Sequence, residues 1–133
     1  MSPTVQPTRY VVLANGVPPT RAEIAQWLRG DDCLICADGG ARVALAHALR
    51  PAAVLGDFDS LSASEIAALE HLATPLIRFP NSKNETDLEL ALLLAAGAPL
   101  PHYGQYPVVL PPLPPCREVV ILGALGGRTD QTL

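Results

Sequence analysis

Cysteine, basic residues and long apolar runs are all scarce in this sequence, and each scarcity excludes a class of protein. The three cysteines form an odd set with no export signal before them, so we predict a reduced, cytoplasmic protein without a disulfide framework. No apolar run approaches the roughly 18 to 20 residues that span a bilayer, so no membrane association is expected. The net charge of −4 argues against nucleic acid as the main partner.

Three familiar motifs are absent or unconvincing. The sequence contains neither the Gly-x-x-x-x-Gly-Lys-Ser/Thr loop of P-loop proteins nor the Gly-x-Gly-x-x-Gly turn of dinucleotide-binding proteins. Cys33 and Cys36 have C-x-x-C spacing but lie in an apolar run that is typical of a strand, where three steps span about 10 Å and prevent a disulfide. We therefore predict two buried strand cysteines and no redox or zinc motif.

The residues that are present indicate one globular domain. With 133 residues, 49% of them hydrophobic and 17% charged, the chain can bury one proper core. We assign residues 1–9 to a flexible, Pro/Thr-rich tail and residues 10–133 to the domain. Five short apolar runs predict strands, at residues 10–14, 33–37, 52–55, 76–79 and 118–122.

Helices are predicted between these strands. Three of them begin with capping boxes, at Thr20 to Glu23, Ser62 to Glu65 and Thr86 to Glu89, and an Ala-rich fourth covers residues 41–49. Continuous apolar strands that alternate with helices predict an α/β fold, namely a doubly wound, mainly parallel sheet with helices on both faces. The predicted architecture is a three-layer α/β/α sandwich of the Rossmann-like kind.

A proline-rich stretch at residues 98–115 interrupts this alternation. It holds seven prolines in eighteen residues, so it cannot form a central strand. We interpret it as a stiff surface insertion between a helix and a strand. The alternative is a polyproline ligand for a partner domain.

Acidic and glycine-rich turns follow the predicted strands. In parallel sheets, ligands bind beyond the carboxyl ends of the strands. Asp57 and Asp59 follow the third strand two residues apart, so on an extended chain they would point to the same side. Like charges held that close favour a cation between them, and Mg²⁺ prefers such oxygen ligands, with phosphate oxygens completing its shell. The alternative is a polar turn in which Asp59 and Ser60 cap the next segment.

Other residues of the same predicted edge have two possible roles. Gly39 and Gly40 before a helix would let backbone amides approach a phosphate, although a glycine pair also makes an ordinary tight turn. Asp87 in the first turn of a helix suits a metal, and it equally suits the helix dipole. Lys83 and Arg128 would suit phosphate oxygens, or they could be solvated surface charges.

Four motifs in series resemble the thiamine pyrophosphokinase family. They occupy residues 37–41, 55–60, 83–91 and 126–130, and the likeness extends over about residues 10–133 apart from the proline-rich insertion. The resemblance implies transfer of the β,γ-diphosphate of ATP to the hydroxyl of thiamine, which gives thiamine diphosphate and AMP with Mg²⁺ as the cofactor. It also implies that the full-length protein is a homodimer.

The resemblance implies specific roles for named residues. Asp57, Asp59 and Asp87 would bind Mg²⁺, and together with Arg128 they would form the catalytic set. The nucleotide site would be lined by residues from all four motifs and the first strand, namely Asn15, Asp38, Gly39, Gly40, Ser60, Lys83, Thr86, Arg128 and Asp130. A helix is expected to begin near Asp130.

The sequence departs from the family pattern at two positions. Asn84 stands where the family usually has Asp, and Gln131 stands where it has His. The family's second, β-rich domain, which forms much of the thiamine site, has no counterpart in this sequence. Two alternatives therefore stay open: a truncated, non-catalytic nucleotide-binding module, or a related diphosphokinase that acts on another small alcohol such as a pterin.

Overall fold

The computed structural model of the chain describes residues 8–80, 86–104, 106, 108 and 110–123, and the backbone of residues 128–131. The elements in these ranges are, in chain order, β1 (Thr8–Leu13), α1 (Arg21–Trp27), β2 (Cys33–Ala37), α2 (Gly40–Ala46), β3 (Ala53–Gly56), α3 (Ala63–His71), β4 (Leu76–Arg78), α4 (Asp87–Ala96), β5 (Cys116–Leu122) and β6 (Arg128–Gln131). None of the helices in the described ranges is long and apolar enough to cross a membrane.

The strands form one sheet in the order β4-β3-β2-β1-β5-β6. Strands β1 to β5 pair in parallel, and β6 pairs antiparallel with β5. The chain thus steps outward from β1 to β4 and then returns across the sheet through α4 to place β5 beside β1. This confirms the predicted doubly wound, mainly parallel sheet.

Two apolar clusters separate the helices onto the two faces of the sheet. On one face, Val11 and Leu13 of β1 share a cluster with Ala44 of α2 and Leu69 of α3, and α1 contributes to the same cluster. On the other face, the cluster contains alternate residues of the same strand together with Leu90 and other residues of α4. Because successive side chains of a strand alternate between faces, the continuous apolar strands predicted from sequence are buried on both sides. The three-layer arrangement is therefore confirmed.

All three predicted capping boxes are present. Thr20, Ser62 and Thr86 each accept a hydrogen bond from the backbone N–H three residues on, and the glutamate there accepts one from the backbone N–H of the cap residue. Each box satisfies two backbone N–H groups that a helix start otherwise leaves open. The helix α4 ends at Gly97, whose φ of 70° is the left-handed geometry that glycine adopts without strain.

Several element boundaries differ from the predicted ones. Strand β1 begins at Thr8, so Thr8 and Arg9 belong to the sheet and not to the predicted tail. Arg9 lies in the strand because its guanidinium pairs with a buried carboxylate at Asp32. Helices α1 and α2 end earlier than predicted, at Trp27 and Ala46.

The prediction of a helix near Asp130 is wrong. Residues 128–131 form β6, in which Arg128 lies opposite Leu122 and Gln131 lies opposite Val119. A parallel sheet leaves a row of unpaired backbone groups along β5, and an antiparallel return strand satisfies them. The family resemblance implied that helix, and the strand β6 stands in its place.

The proline-rich stretch packs onto the α4 face in its described part. Leu100 is buried in the cluster on that face, with Leu113 packed against it. Tyr10 donates a hydrogen bond from its hydroxyl to the Pro114 carbonyl at 2.5 Å. These contacts agree with a surface insertion, and binding to a partner domain stays a prediction.

The three cysteines are free thiols, as expected. Cys33 and Cys36 are buried in β2 on opposite faces of the sheet, since each belongs to a different core cluster. Burial raises the pKa of the Cys33 and Cys36 thiols, which makes both poor nucleophiles. The C-x-x-C spacing therefore has a packing role.

Candidate functional site

Loops from several parallel strands meet at the carboxyl edge of the sheet. Gly56 ends β3 at this edge, with a φ of 143°. A methyl group added at Gly56 would lie 3.2 Å from Asp38 Oδ1 and 3.2 Å from Asp87 Oδ2. The carboxylates of Asp38 and Asp87 therefore lie close to the same backbone atom, and a glycine is required between them.

The carboxylate of Asp38 is buried, with 5% of the residue exposed, and is held by two hydrogen bonds. Its Oδ2 accepts from the Ser60 hydroxyl at 2.8 Å, and its Oδ1 accepts from the Phe58 backbone N–H at 3.1 Å. Burial raises the pKa of Asp38, and the negative charges of Asp57 and Asp87 raise it further, while the bond from Ser60 opposes the change. A cation at this edge would relieve that repulsion.

The Asp57 to Ser60 segment is a turn and not the extended chain that the spacing suggested. The Asp59 backbone N–H donates to Asp57 Oδ1 at 3.0 Å, and Phe58 has a left-handed φ of 67°. Asp57 is half-buried and Asp59 is exposed, so the two carboxylates occupy different environments. The extended backbone expected from strand alternation is therefore wrong for this segment, and metal binding by the two carboxylates stays a prediction.

Asn15, Gly39 and Ser60 lie side by side at the same edge. A methyl group on Gly39 would lie 2.2 Å from Asn15 Oδ1. Asn15 donates from Nδ2 to the Ser60 hydroxyl at 3.4 Å. Three residues predicted to line a nucleotide site thus come together from three separate loops.

Gly40 has a separate structural reason to be glycine. A methyl group there would lie 2.1 Å from the backbone oxygen of Leu13, so the first turn of α2 packs directly on β1. This contact does not test the predicted phosphate role of the glycine pair. It does bring the start of α2 to the edge of the sheet.

A cleft of about 210 Å³ lies between the end of β1 and the start of α4. Asp87 is the charged residue of its lining, and Asn15, Gly16 and Leu88 also contribute. Thr86, just before Asp87, caps α4 by accepting from the Glu89 backbone N–H at 3.1 Å. The cap fixes the position of Asp87 relative to the cleft.

Some predicted site residues lie outside the described residues or are described by their backbone alone. Lys83, Asn84, Gly126 and Gly127 lie outside the described residues. For Arg128 and Asp130 the backbone alone is described. Arg128 lies opposite Leu122 at the carboxyl end of β5, on the same edge as Asp57, whereas Asp130 lies opposite Val120, further into the sheet.

The donor set at this edge fits Mg²⁺ in the way that nucleotide enzymes hold it. In the described ranges, no three His, Cys, Asp or Glu side chains converge closely enough to hold a metal by themselves. Mg²⁺ usually takes only one or two carboxylates from a protein and completes its octahedron with phosphate oxygens and water. Asp57 and Asp87 supply two such carboxylates at this edge, beside the buried and hydrogen-bonded Asp38.

Two arginines that lie beside the site were not predicted from the sequence. Arg42 of α2 donates to the Ser60 carbonyl and pairs with Glu65 at 2.8 Å. The guanidinium of Arg78, at the end of β4, lies 5.1 Å from the centre of the Phe58 ring. Their partners belong to other elements, so no spacing in the sequence could reveal them.

The fold is a doubly wound domain whose acidic side chains gather beyond the carboxyl ends of its parallel strands. Residues 24–133 match the family described as thiamin pyrophosphokinase, catalytic domain. The chain belongs to this family. No match is found among curated proteins.

Solved structures support the same assignment. A thiamin pyrophosphokinase family protein from Enterococcus faecalis is 31% identical with a TM-score of 0.54, over 68% of this chain and 41% of that one. Thiamine pyrophosphokinase from Bacillus subtilis is 25% identical with a TM-score of 0.57, over 68% and 42%. Thiamin pyrophosphokinase from Geobacillus thermodenitrificans is 25% identical with a TM-score of 0.56, over 68% of this chain and 42% of that one. The chain thus spans less than half the length of these structures.

Proposed function

We propose that the chain forms the nucleotide-binding, catalytic part of an ATP:thiamine diphosphotransferase. In this reaction the β,γ-diphosphate of ATP passes to the thiamine hydroxyl, giving thiamine diphosphate and AMP. The observation that carries the proposal is the convergence of Asp38, Asp57 and Asp87 at the carboxyl edge of the sheet. Membership of the family supports the reaction type.

The chemistry of the edge suits diphosphoryl transfer. Such transfer depends mainly on positioning and on neutralising phosphate charge, and it requires little covalent chemistry from the protein. Bound Mg²⁺ would supply that neutralisation between the phosphate oxygens. Asp57, Asp59 and Asp87 are the proposed ligands, and the more deeply buried Asp38 holds the turn that carries two of them.

Asn15, Gly39 and Ser60 are proposed to line the nucleotide site together with the cleft beside Asp87. Lys83 and Arg128 are proposed to bind the triphosphate as cations. We also propose a homodimeric full-length protein, as the family resemblance implies.

The first test is a calorimetric titration with a non-hydrolysable ATP analogue, with and without Mg²⁺. We expect Mg²⁺-dependent binding in the wild type and its loss, by about tenfold or more, in the Asp57→Asn/Asp59→Asn double variant. Asp31→Asn is the matched control, because Asp31 is exposed at the opposite end of β2. No binding by a demonstrably folded wild type would contradict the proposal, and so would unchanged binding in the double variant.

A non-catalytic nucleotide-binding module is the second candidate, favoured by Asn84 and Gln131 where the family has Asp and His. Each change removes a group able to carry charge or bind a metal. The two candidates differ in turnover. AMP release that requires thiamine would exclude the module, and release that requires another small alcohol, such as a pterin, would identify a related diphosphokinase.

A further inference from the structure

Arg42 connects three parts of the molecule that meet beside the acidic edge. It lies in the first turn of α2, and its Nε donates to Glu65 Oε2 at 2.8 Å. Its Nη2 donates to Glu65 Oε1 at 3.1 Å and also to the backbone carbonyl of Ser60. Ser60 ends the turn that begins at Asp57, and Glu65 belongs to the capping box of α3.

The contacts of Ser60 continue into the site. The Ser60 hydroxyl donates to Asp38, and Asp38 in turn accepts from the Phe58 backbone N–H. A chain of hydrogen bonds therefore runs from Arg42 through Ser60 and Asp38 to the middle of the turn. Phe58 has a left-handed φ of 67°, a geometry that is unfavourable for a non-glycine residue and persists only where the surroundings impose it.

We infer that Arg42 is a positioning residue that fixes the Asp57 to Ser60 turn, and with it the carboxylates of the edge, by clamping the Ser60 carbonyl to α3. Its effect on nucleotide binding rests on the proposed function, whereas its effect on the turn does not.

The geometry favours positioning over direct contact with phosphate. The planar fork of Arg42 is already occupied by both oxygens of Glu65 and by the Ser60 carbonyl. The carboxylate of Glu65 also neutralises its charge, and Arg42 holds the pKa of Glu65 down at about 2. A cation engaged in this way has little left to offer a ligand.

The α1 capping box provides an internal comparison. Glu23 caps α1 through Thr20 in the same way as Glu65 caps α3 through Ser62. In the described part of the chain, no arginine bridges Glu23. Glu23→Gln therefore weakens the cap of α1 and leaves the Asp57 to Ser60 turn unchanged. Glu65→Gln weakens the cap of α3 and also the ion pair with Arg42.

The first readout is backbone amide hydrogen exchange in the ligand-free protein. We expect Arg42→Met to speed exchange at Phe58 and Asp59 by about tenfold or more, while exchange at Val12 in the central strand is unchanged. Arg42→Lys keeps the charge but not the two-pronged geometry, so it should give a smaller increase. Glu65→Gln should also speed exchange at these two amides, and Glu23→Gln should not.

The second readout is calorimetric binding of a non-hydrolysable ATP analogue. Arg42→Met should weaken binding with Mg²⁺ by about tenfold and leave the weaker metal-free binding unchanged, because the carboxylates of the turn act through the metal. Lysine should restore part of the loss.

The two readouts separate this inference from the proposed function. Unchanged hydrogen exchange at Phe58 and Asp59 in Arg42→Met would overturn the positioning role of Arg42, whatever the result of the binding titration. Faster exchange at Val12 as well would show a global loss of stability and would also overturn it. A folded wild type that binds no nucleotide would overturn the proposed function, while exchange at the turn would still decide the role of Arg42.

Discussion

Removal of the Asp32 carboxylate should strongly destabilise the fold. Arg9 and Asp32 form an ion pair whose side chains are only 5% and 1% exposed. The Arg9 fork bonds both carboxylate oxygens, at 3.1 Å and 2.6 Å, and it also donates to the Trp27 carbonyl. The Arg29 backbone N–H donates to the same carboxylate at 2.7 Å. The hydrogen bond to Asp32 raises the pKa of Arg9. A guanidinium keeps its charge in proteins even without such a partner, so Asp32→Ala leaves a buried positive charge.

The size of the effect follows from what Asp32→Ala leaves behind. Breaking a buried pair by deleting one partner typically costs about 3–5 kcal/mol, because an uncompensated charge remains inside. The lost bond to Arg29 adds about 1 kcal/mol. Since a domain is commonly stable by only about 5–15 kcal/mol, the variant should be close to the limit of folding.

Replacement of both partners should be less harmful than replacement of Asp32 alone. Arg9→Met/Asp32→Leu removes the stranded charge and keeps apolar volume, and such exchanges are often neutral or better. The remaining losses should be the bonds of the Arg29 N–H and of the Trp27 carbonyl, about 1 kcal/mol each. A double-mutant cycle therefore predicts a coupling of several kcal/mol between Arg9 and Asp32.

Urea unfolding of the wild type, Arg9→Met, Asp32→Leu and the Arg9→Met/Asp32→Leu double variant measures this cycle, and Asp32→Ala is unfolded beside them. Asp31→Ala is the control, because Asp31 is exposed next to the buried partner and should change stability by less than about 0.5 kcal/mol. A loss below about 1 kcal/mol in Asp32→Ala would refute the argument from burial. So would a double variant that is less stable than Asp32→Ala.

Three further predictions concern the site and its supports. Gly40→Ala should lower the free energy of unfolding in urea by about 1–3 kcal/mol or more, because its methyl group would lie 2.1 Å from the Leu13 backbone oxygen. Gly30→Ala is the control and should be near neutral, because a methyl group there meets nothing within 4 Å. Asp38→Asn should raise thermal stability at pH 7, because the raised pKa of Asp38 means that its ionisation destabilises the folded state. The advantage should vanish as the pH falls and Asp38 becomes protonated. An equal gain at pH 3 would contradict this explanation. Because the pKa of Glu65 is lowered to about 2, its ionised carboxylate stabilises the fold above about pH 5, and this stabilisation is lost as the pH falls. In Glu65→Gln, the free energy of unfolding should therefore depend less on pH in the acid range.

Much of the fold was predictable because its determinants are local. Each capping box is complete within four residues, and each apolar run is long enough for one buried strand. Alternating strands and helices with right-handed crossovers make a doubly wound parallel sheet, although they do not fix the order of its strands. The start of β1 was missed because it depends on Arg9 meeting Asp32, a contact between residues distant in the sequence.

The site was predictable as a location but not in its geometry. Asn15, Asp38, Asp57 and Asp87 come together because parallel strands end at one edge, which the alternation of elements implies. The reversal of the chain at Phe58 could not be read from the sequence, because a left-handed phenylalanine has no local signature and is imposed by its partners. The arginines beside the turn were missed for the same reason.

The position of β1 in the middle of the sheet has a consequence for how the chain folds. Val12 pairs with Ile35 on one side, soon after it is made, but its partner on the other side is Ile121. That second pairing closes a loop that contains most of the domain, and such long-range closures slow folding. Until β5 docks, β1 offers an open backbone edge and an apolar face to other chains, so the period before docking is when aggregation competes most strongly with folding. Among the described elements, β1 is thus completed only after α1 to α4 have been synthesised.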